Sequence, residues 1–138
     1  MTRINVIPVE CLTDKHLLAE YKEITRPFNK AYKRLMNNKL DFDRFDSYRL
    51  NAGHETFFFD KLHWLYFRYH LLRDELLRRS FNINLAKFDK IACKLFNNLS
   101  NSCLWNWYTP TPDDIYLNMA RLAKRSNLEK VKKELDSN

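Results

Sequence analysis

Leu17, Tyr21, Ile24, Phe28, Tyr32 and Leu35 follow one another at spacings of three and four, the period of one helix face. They predict a first helix from 14 to about 36. Thr13 serves as N-cap, Asp14 sits in the first turn, and Leu12 and Leu17 occupy hydrophobic-staple positions. Pro27 falls inside the pattern and should kink the helix or loosen one turn. The opposite face carries Lys22, Arg26, Lys30 and Lys33, with His16 and Glu23 beside it. A second stripe, Phe58, Leu62, Leu65, Tyr69, Leu72 and Leu76, predicts a helix from near Thr56 or Phe59 to about 79. Trp64, Phe67 and Leu71 add another apolar sector, so this helix is expected to be central. Arg73, Arg78 and Arg79 gather at its C-terminal end, where the helix dipole favours cations.

A shorter helical segment at 85–99 carries Leu85, Phe88, Ala92, Leu95 and Leu99. Thr111-Pro112-Asp113-Asp114 then reads as an N-cap, a proline at the first helical position and acids in the first turn. The last helix is expected to turn Ile115, Met119 and Leu122 inward and Arg121, Lys124 and Arg125 outward. Residues 2–12 have no helical period and contain Pro8, so they read as an irregular arm. Residues 37–53 form a charged, turn-rich connection, and 127–138 a charged tail.

The pattern predicts an all-α, compact single domain over 1–138: three main helices, a shorter helical segment and an irregular N-terminal arm. A chain of 138 residues suits one hydrophobic core, 45% hydrophobic residues suffice to fill it, and one glycine and four prolines leave little turn punctuation for a many-stranded β protein. The net charge of +7 favours a polyanionic partner, nucleic acid or an anionic membrane. Nothing resembling a signal peptide opens the chain, and no apolar run is long enough to cross a bilayer. Because the charged segments are also rich in carboxylates, nucleic acid is the favoured partner. Cys11, Cys93 and Cys103 lie far apart, which fits free thiols of a reducing cytoplasm, more commonly buried and inert than reactive.

Individual constellations add less. A cationic row on one helix is usually a solvated face; a second row at Arg121 and Arg125 shifts the reading modestly toward phosphate binding. His16, Glu20 and Glu23 share one side of a helix, but no second ligand cluster accompanies them, so no metal is expected. His63 and His70 read as core or rim histidines. His54-Glu55 opens like a zinc-protease motif, but Phe58 stands where the second histidine would be. Trp105, Trp107 and Tyr108 suit base stacking, core packing or a lid.

Longer runs are more specific. The opening Met1-Thr2-Arg3-Ile4-Asn5, the stretch His16-Leu17-Leu18-Ala19-Glu20-Tyr21-Lys22-Glu23 with Arg26, and Ala52-Gly53-His54-Glu55-Thr56-Phe57-Phe58-Phe59-Asp60-Lys61-Leu62 resemble the pyrimidine-dimer DNA glycosylase family, known from the endonuclease V of tailed bacteriophages. Arg79-Ser80-Phe81-Asn82-Ile83 and Ala120-Arg121-Leu122 agree more weakly, in the same order. Chance explains such ordered agreement poorly.

The resemblance implies a monomeric all-α enzyme without metal or cofactor, working on damaged double-stranded DNA in the cytoplasm of a bacterial or phage-infected cell, with no membrane association. It implies a glycosylase and abasic-site lyase acting on cyclobutane pyrimidine dimers. After removal of Met1, the α-amine of Thr2 would be the nucleophile and Glu23 the catalytic carboxylate, with Arg26 and Lys30 as cationic neighbours. An α-amine titrates at about 7.7–8.0 against about 10.4 for lysine, so near neutral pH it is unprotonated far more often. The arm to Thr13 can stretch about 35 Å, and Glu23 lies about 15 Å along the helix from its cap, so the two can meet. Arg3, His16, Lys22 and Arg26 would hold DNA beside the lesion, and Arg121 and Arg125 would contact phosphates. Lys22 stands where the family usually has arginine, which loses the planar fork. The tail lacks the aromatic segment of phage-type members. Two other readings stay open: the same chemistry on another lesion or on abasic sites only, and a non-catalytic binder of distorted duplex.

Overall fold

The computed structural model describes residues 2–126, with side chains as far as 123 in the last helix; the charged tail at 127–138 lies outside the described residues. Six α-helices, α1 (Asp14–Glu23), α2 (Thr25–Met36), α3 (His54–Phe58), α4 (Leu62–Arg78), α5 (Leu85–Leu99) and α6 (Pro112–Ser126), and a 3-10 turn at Val9–Cys11 make up its regular structure. No strand occurs among the described residues, so the fold is all-α as the sequence pattern predicts.

The expected first helix is two helices that meet at Ile24. Pro27 has no N–H to offer the Glu23 carbonyl four residues back, and its ring crowds that same carbonyl. The ladder therefore ends at Glu23, closed by the bond from Ile24 N–H to the Glu20 carbonyl (2.9 Å), and α2 begins anew at Thr25. Thr13 caps α1 as expected, its hydroxyl accepting from the His16 N–H at 3.2 Å.

The expected second helix is likewise divided. The short α3 ends at Phe58, and Lys61, at φ −128° and ψ 37°, separates it from α4. The Lys61 ammonium explains the break: it donates to the carbonyls of Phe45 (3.0 Å) and Phe57 (2.9 Å) and to the Asp60 carboxylate (2.9 Å). The chain must fold around this buried cation, and α4 starts with its Leu62 N–H bonded to the Leu104 carbonyl. From there α4 runs through the core, with Leu62, Leu65, Leu72 and Leu76 fully buried, as its two apolar sectors predict.

The inner face of α6 differs from expectation. Met119 is exposed, whereas Asp114 and Asn118 are buried. Apolar periodicity misreads this face because α6 meets polar partners. Asp114 accepts from the Tyr108 hydroxyl (2.5 Å) and the Thr111 N–H (3.2 Å), while its own N–H returns to the Thr111 hydroxyl (3.1 Å), completing a reciprocal cap. The three cysteines, expected to be buried, are all exposed.

Residues 2–12 are the largest departure from a helical bundle. This extended arm runs through the interior, with Thr2, Ile4, Asn5, Val6, Ile7, Val9 and Leu12 buried. A buried backbone with neither helix nor sheet needs partners for its polar groups, and side chains supply them. Glu23 accepts from the Arg3 N–H (3.0 Å), His54 Nε2 from the Ile4 N–H (2.8 Å), and Asn118 Oδ1 from the N–H groups of Val6 (2.6 Å) and Ile7 (3.2 Å). Tyr48 donates to the Ile4 carbonyl at 2.8 Å; burial pushes its phenol up, which keeps it a donor. Arg68 Nη1 donates to the Ile7 carbonyl.

Arg68 is itself held by Glu20 through two bonds, Nε to Oε2 (2.7 Å) and Nη2 to Oε1 (3.1 Å), and Asn5 Nδ2 adds a third to Oε1 (2.7 Å). Both ions are almost fully buried. Such a pair is tolerable only when its hydrogen bonds are complete, and removing one member strands the other. Arg68→Met is therefore expected to lower the unfolding free energy by about 3–5 kcal/mol. Urea denaturation followed by tryptophan fluorescence measures it, and a loss below about 1 kcal/mol would mean that Glu20 is not stranded.

His54 is neutral in this arrangement, with Nδ1 against the Arg49 carbonyl (2.8 Å) and Nε2 free to accept. Burial lowers its pKa from the ordinary 6.5 more than the Arg49 hydrogen bond raises it. Protonation thus favours the unfolded chain: the stability tied to His54 is complete above about pH 6.5 and falls as pH drops through the lowered folded value. His54→Gln, which cannot titrate, should show a shallower loss of melting temperature on acidification. His16 and His70, also lowered by burial, and the lowered carboxyls of Glu55 and Glu75 supply the remaining slope. An unchanged slope in the variant would overturn the assignment.

Candidate active site

The arm enters the site beside the junction of α1 and α2. Glu23, the last residue of α1, presents Oε2 to the Arg3 N–H at 3.0 Å and Oε1 to Arg26 Nη1 at 4.0 Å. The same Arg26 nitrogen lies 3.4 Å from the Thr2 hydroxyl oxygen. A carboxylate at a helix C-terminus meets the negative end of the dipole; the Arg3 amide and the Arg26 guanidinium offset it. The break imposed by Pro27 gives Glu23 and Arg26 to different helices, and the arm docks across the junction.

A groove of about 470 Å³ opens in front of this cluster, lined by Arg3, Asn5, His16, Glu20, Glu23 and Arg121 among others. Its cationic side suits an anionic backbone, while Glu23 supplies one negative charge within it. The His16 ring lies 3.0 Å from the Thr13 hydroxyl, and burial, then Arg121 and Lys15, lowers its pKa. A neutral imidazole therefore faces the groove near neutral pH. Arg121, expected to point outward, is half-buried and donates to Asn5 Oδ1, which also accepts from Asn118 Nδ2 at 2.8 Å. Its Nε is buried with no hydrogen-bond partner among the described residues.

The structure thus brings together Thr2, Arg3, Glu23 and Arg26, with His16 and Arg121 along the same groove. Lys22 belongs elsewhere. It is exposed and lines a separate depression with Tyr21, Tyr69, Asn82, Lys87 and Phe88. The side chain of Arg125 lies outside the described residues. Lys30, expected as a neighbour of Glu23, is ion-paired with Glu55 instead.

Sequence reasoning missed Glu55, His54, Asn5 and Asn118 as parts of this region. Glu55 and His54 line a cavity with Thr2 and Lys30, although in sequence they look like an incomplete metal motif. Asn118 was recognisable only as a polar residue within the buried face of α6. Glu20, weighed as a metal ligand with His16 and Glu23, is consumed by Arg68 and Asn5. No group of three His, Cys, Asp or Glu residues suited to a metal ion occurs among the described residues. Nor is any described helix long and apolar enough to cross a membrane.

Trp105, Trp107 and Tyr108 divide between core and surface. Tyr108 is buried against Phe57 and Trp64, whereas the Trp105 and Trp107 rings pack on His63 of α4. None of the three lines the groove that holds Glu23.

The family of pyrimidine dimer DNA glycosylases matches residues 1–89, a span that contains the arm, α1 to α4 and the first turn of α5. That match covers well over half of the 138 residues and includes Thr2, Glu23 and the residues that hold them together. On this evidence the chain belongs to the pyrimidine dimer DNA glycosylase family, enzymes of DNA repair.

Proposed function

We propose that the protein excises cyclobutane pyrimidine dimers from duplex DNA and then nicks the strand, using the α-amine that Thr2 bears once Met1 is removed. The observation that carries this reading is the bond from the Arg3 N–H to Glu23, which ties the carboxylate to the residue next to the nucleophile. Orientation of this kind is worth much in a covalent mechanism, because the reacting atoms need not be found by diffusion.

The amine attacks C1′ of the damaged nucleotide, and the C1′–N bond breaks with its electron pair on the leaving base, which takes a proton from solvent. Glu23 stabilises the positive charge developing on the sugar. The new C–N nitrogen loses a proton, the sugar opens with a proton on O4′, and an imine remains; Glu23 assists these transfers. The imine acidifies C2′–H. Loss of that proton breaks the C3′–O3′ bond, the phosphate leaves, and hydrolysis of the imine frees the amine. Arg3, Arg26, His16 and Arg121 line or border the groove and are assigned to the DNA strand near the lesion, with Lys22 and Arg125 as outlying phosphate contacts. In sequence-independent binding such contacts make affinity fall with salt.

Two other readings survive at the level of substrate and activity: the same amine acting on another lesion or on abasic sites alone, and binding of distorted duplex without catalysis. Borohydride trapping of the Met1-processed protein on abasic and dimer-containing duplexes separates them. An adduct mapped to Thr2 on both duplexes is expected, with Glu23→Gln lowering turnover on the dimer duplex by about 10²–10⁴-fold. An adduct on the abasic duplex alone would overturn the dimer substrate. Tight binding with no adduct on either duplex would overturn the enzyme.

A further inference from the structure

Beside Thr2 lies a second carboxylate. Glu55, in the short helix α3, forms an ion pair with Lys30 of α2 and shares a cavity with Thr2. Thr2, Lys30 and Glu55 line one cavity of about 300 Å³ together with Asn51, Gly53 and His54. Thr2 is itself buried, and its hydroxyl oxygen faces Arg26 Nη1 at 3.4 Å.

The local backbone is built for this placement. Gly53, the one glycine of the chain, begins α3 at φ +84°, where a β-carbon would lie 2.9 Å from the Phe45 ring. A substitution there would be strained in backbone and crowded in space. The turn it permits sets His54 and Glu55 side by side, so that α3 holds the arm through His54 on the Ile4 amide and brings Glu55 into the cavity beside Thr2.

We propose that the Lys30–Glu55 pair is a positioning device for the nucleophile: Glu55 fixes Thr2 through its hydroxyl, and the paired charges set the electrostatic balance around the adjacent amine. The proposal rests on the reading of Thr2 as the nucleophile. Threonine is stiff about its Cα–Cβ bond, so a hydroxyl fixed in this way also limits how the amine on Cα can turn. Burial pushes the Glu55 carboxyl up, but Lys30 and Thr2 outweigh it and hold it below the usual carboxylate range. It is thus charged near neutral pH.

The other charged and titratable groups around Thr2 are Arg3 on the arm, Glu23 on α1, Arg26 on α2, Arg49 before α3, His54 on α3, and Arg121 with His16 along the groove. Against this excess of cations stand the carboxylates of Glu55 and Glu23, while Glu20, which lines the same groove as Glu23, is paired with Arg68. Neutralising Glu55 leaves Lys30 unopposed and disfavours the protonated amine; neutralising Lys30 does the reverse.

The test is the pH dependence of borohydride trapping on an abasic duplex, measured for Met1-processed wild type, Glu55→Gln, Lys30→Gln and the double variant. The midpoint of the amine's titration should fall by about half to one pH unit in Glu55→Gln, rise by a similar amount in Lys30→Gln, and return near wild type in the double variant. Thr2→Ala keeps an α-amine but loses the hydroxyl; it should still trap, about tenfold more slowly, and adding Glu55→Gln should cost little further rate well above the midpoint. Lys30 is exposed, so its replacement tests the pair without threatening the fold. A wild-type adduct with the same midpoint in all four proteins would overturn the pair's role and leave the nucleophile standing. Failure of the wild type to trap would overturn both.

Discussion

An extended segment cannot be buried in a helical protein unless something other than a sheet satisfies its backbone. Each buried N–H or C=O without a partner costs about 1–3 kcal/mol, and the arm carries several in a row. Glu23, His54, Tyr48, Arg68 and Asn118 take that role from α1, the 37–53 connection, α3, α4 and α6. This requirement accounts for the polar residues of the interior. Glu20 is there to hold Arg68, and Arg68 to hold the Ile7 carbonyl. Asn5 joins Glu20 to Asn118, so one hydrogen-bonded network links α1, α4, α6 and the arm. Networks of this kind rigidify when complete.

Site precision follows from the same network. A chain terminus is ordinarily the most mobile part of a domain unless it is tied down. Here the residues following Thr2 are fixed to four helices, so an N-terminal amine inherits the rigidity of the core. The region of α6 lies beyond the part of the chain matched by the family, yet Asn118 and Arg121 complete the anchoring of Asn5 to Ile7. Arg121 both binds the arm and faces the groove, so a phosphate docking on it would press on the network that positions Thr2.

Much of this architecture was legible in the sequence. The stripes of α1, α2, α4 and α5 repeat with helical period, and Thr13 and Thr111 cap the helices they were expected to cap. Pro27 marked the break, although only the structure places it at Glu23. Less legible were features created by polar contacts over long separations. Nothing in the period of residues 2–12 indicates burial, because the arm's partners lie up to 116 residues away in sequence. The outward turn of Met119 follows from the same cause, since Asn118 is drawn to the arm. Lys61 gave no sign of dividing a helix, because its effect depends on carbonyls that the fold brings to it. Of the candidate site, Thr2, Arg3, Glu23 and Arg26 were identified through likeness to a family. Periodicity alone would have left Glu23 as one carboxylate on a basic face.

The arrangement also bears on why an α-amine is a reasonable nucleophile here. Lys30, the lysine that shares a cavity with Thr2, is engaged as the partner of Glu55, and the buried Lys61 has its ammonium bound to two carbonyls and a carboxylate. Both ammonium groups are engaged by the contacts they make. An amine at Thr2 would lie recessed where α1, α2 and α3 converge, and the network behind it leaves the protein little freedom to move it outward. A nucleotide stacked within a straight duplex cannot bring C1′ to such a point. On the proposed role of Thr2 the DNA would have to supply the movement, and the cost of unstacking is least where damage has already weakened the duplex. With Thr2 as the proposed nucleophile, the rigidity of the arm would contribute to selectivity: a fixed amine would be reached only by a strand that distorts cheaply.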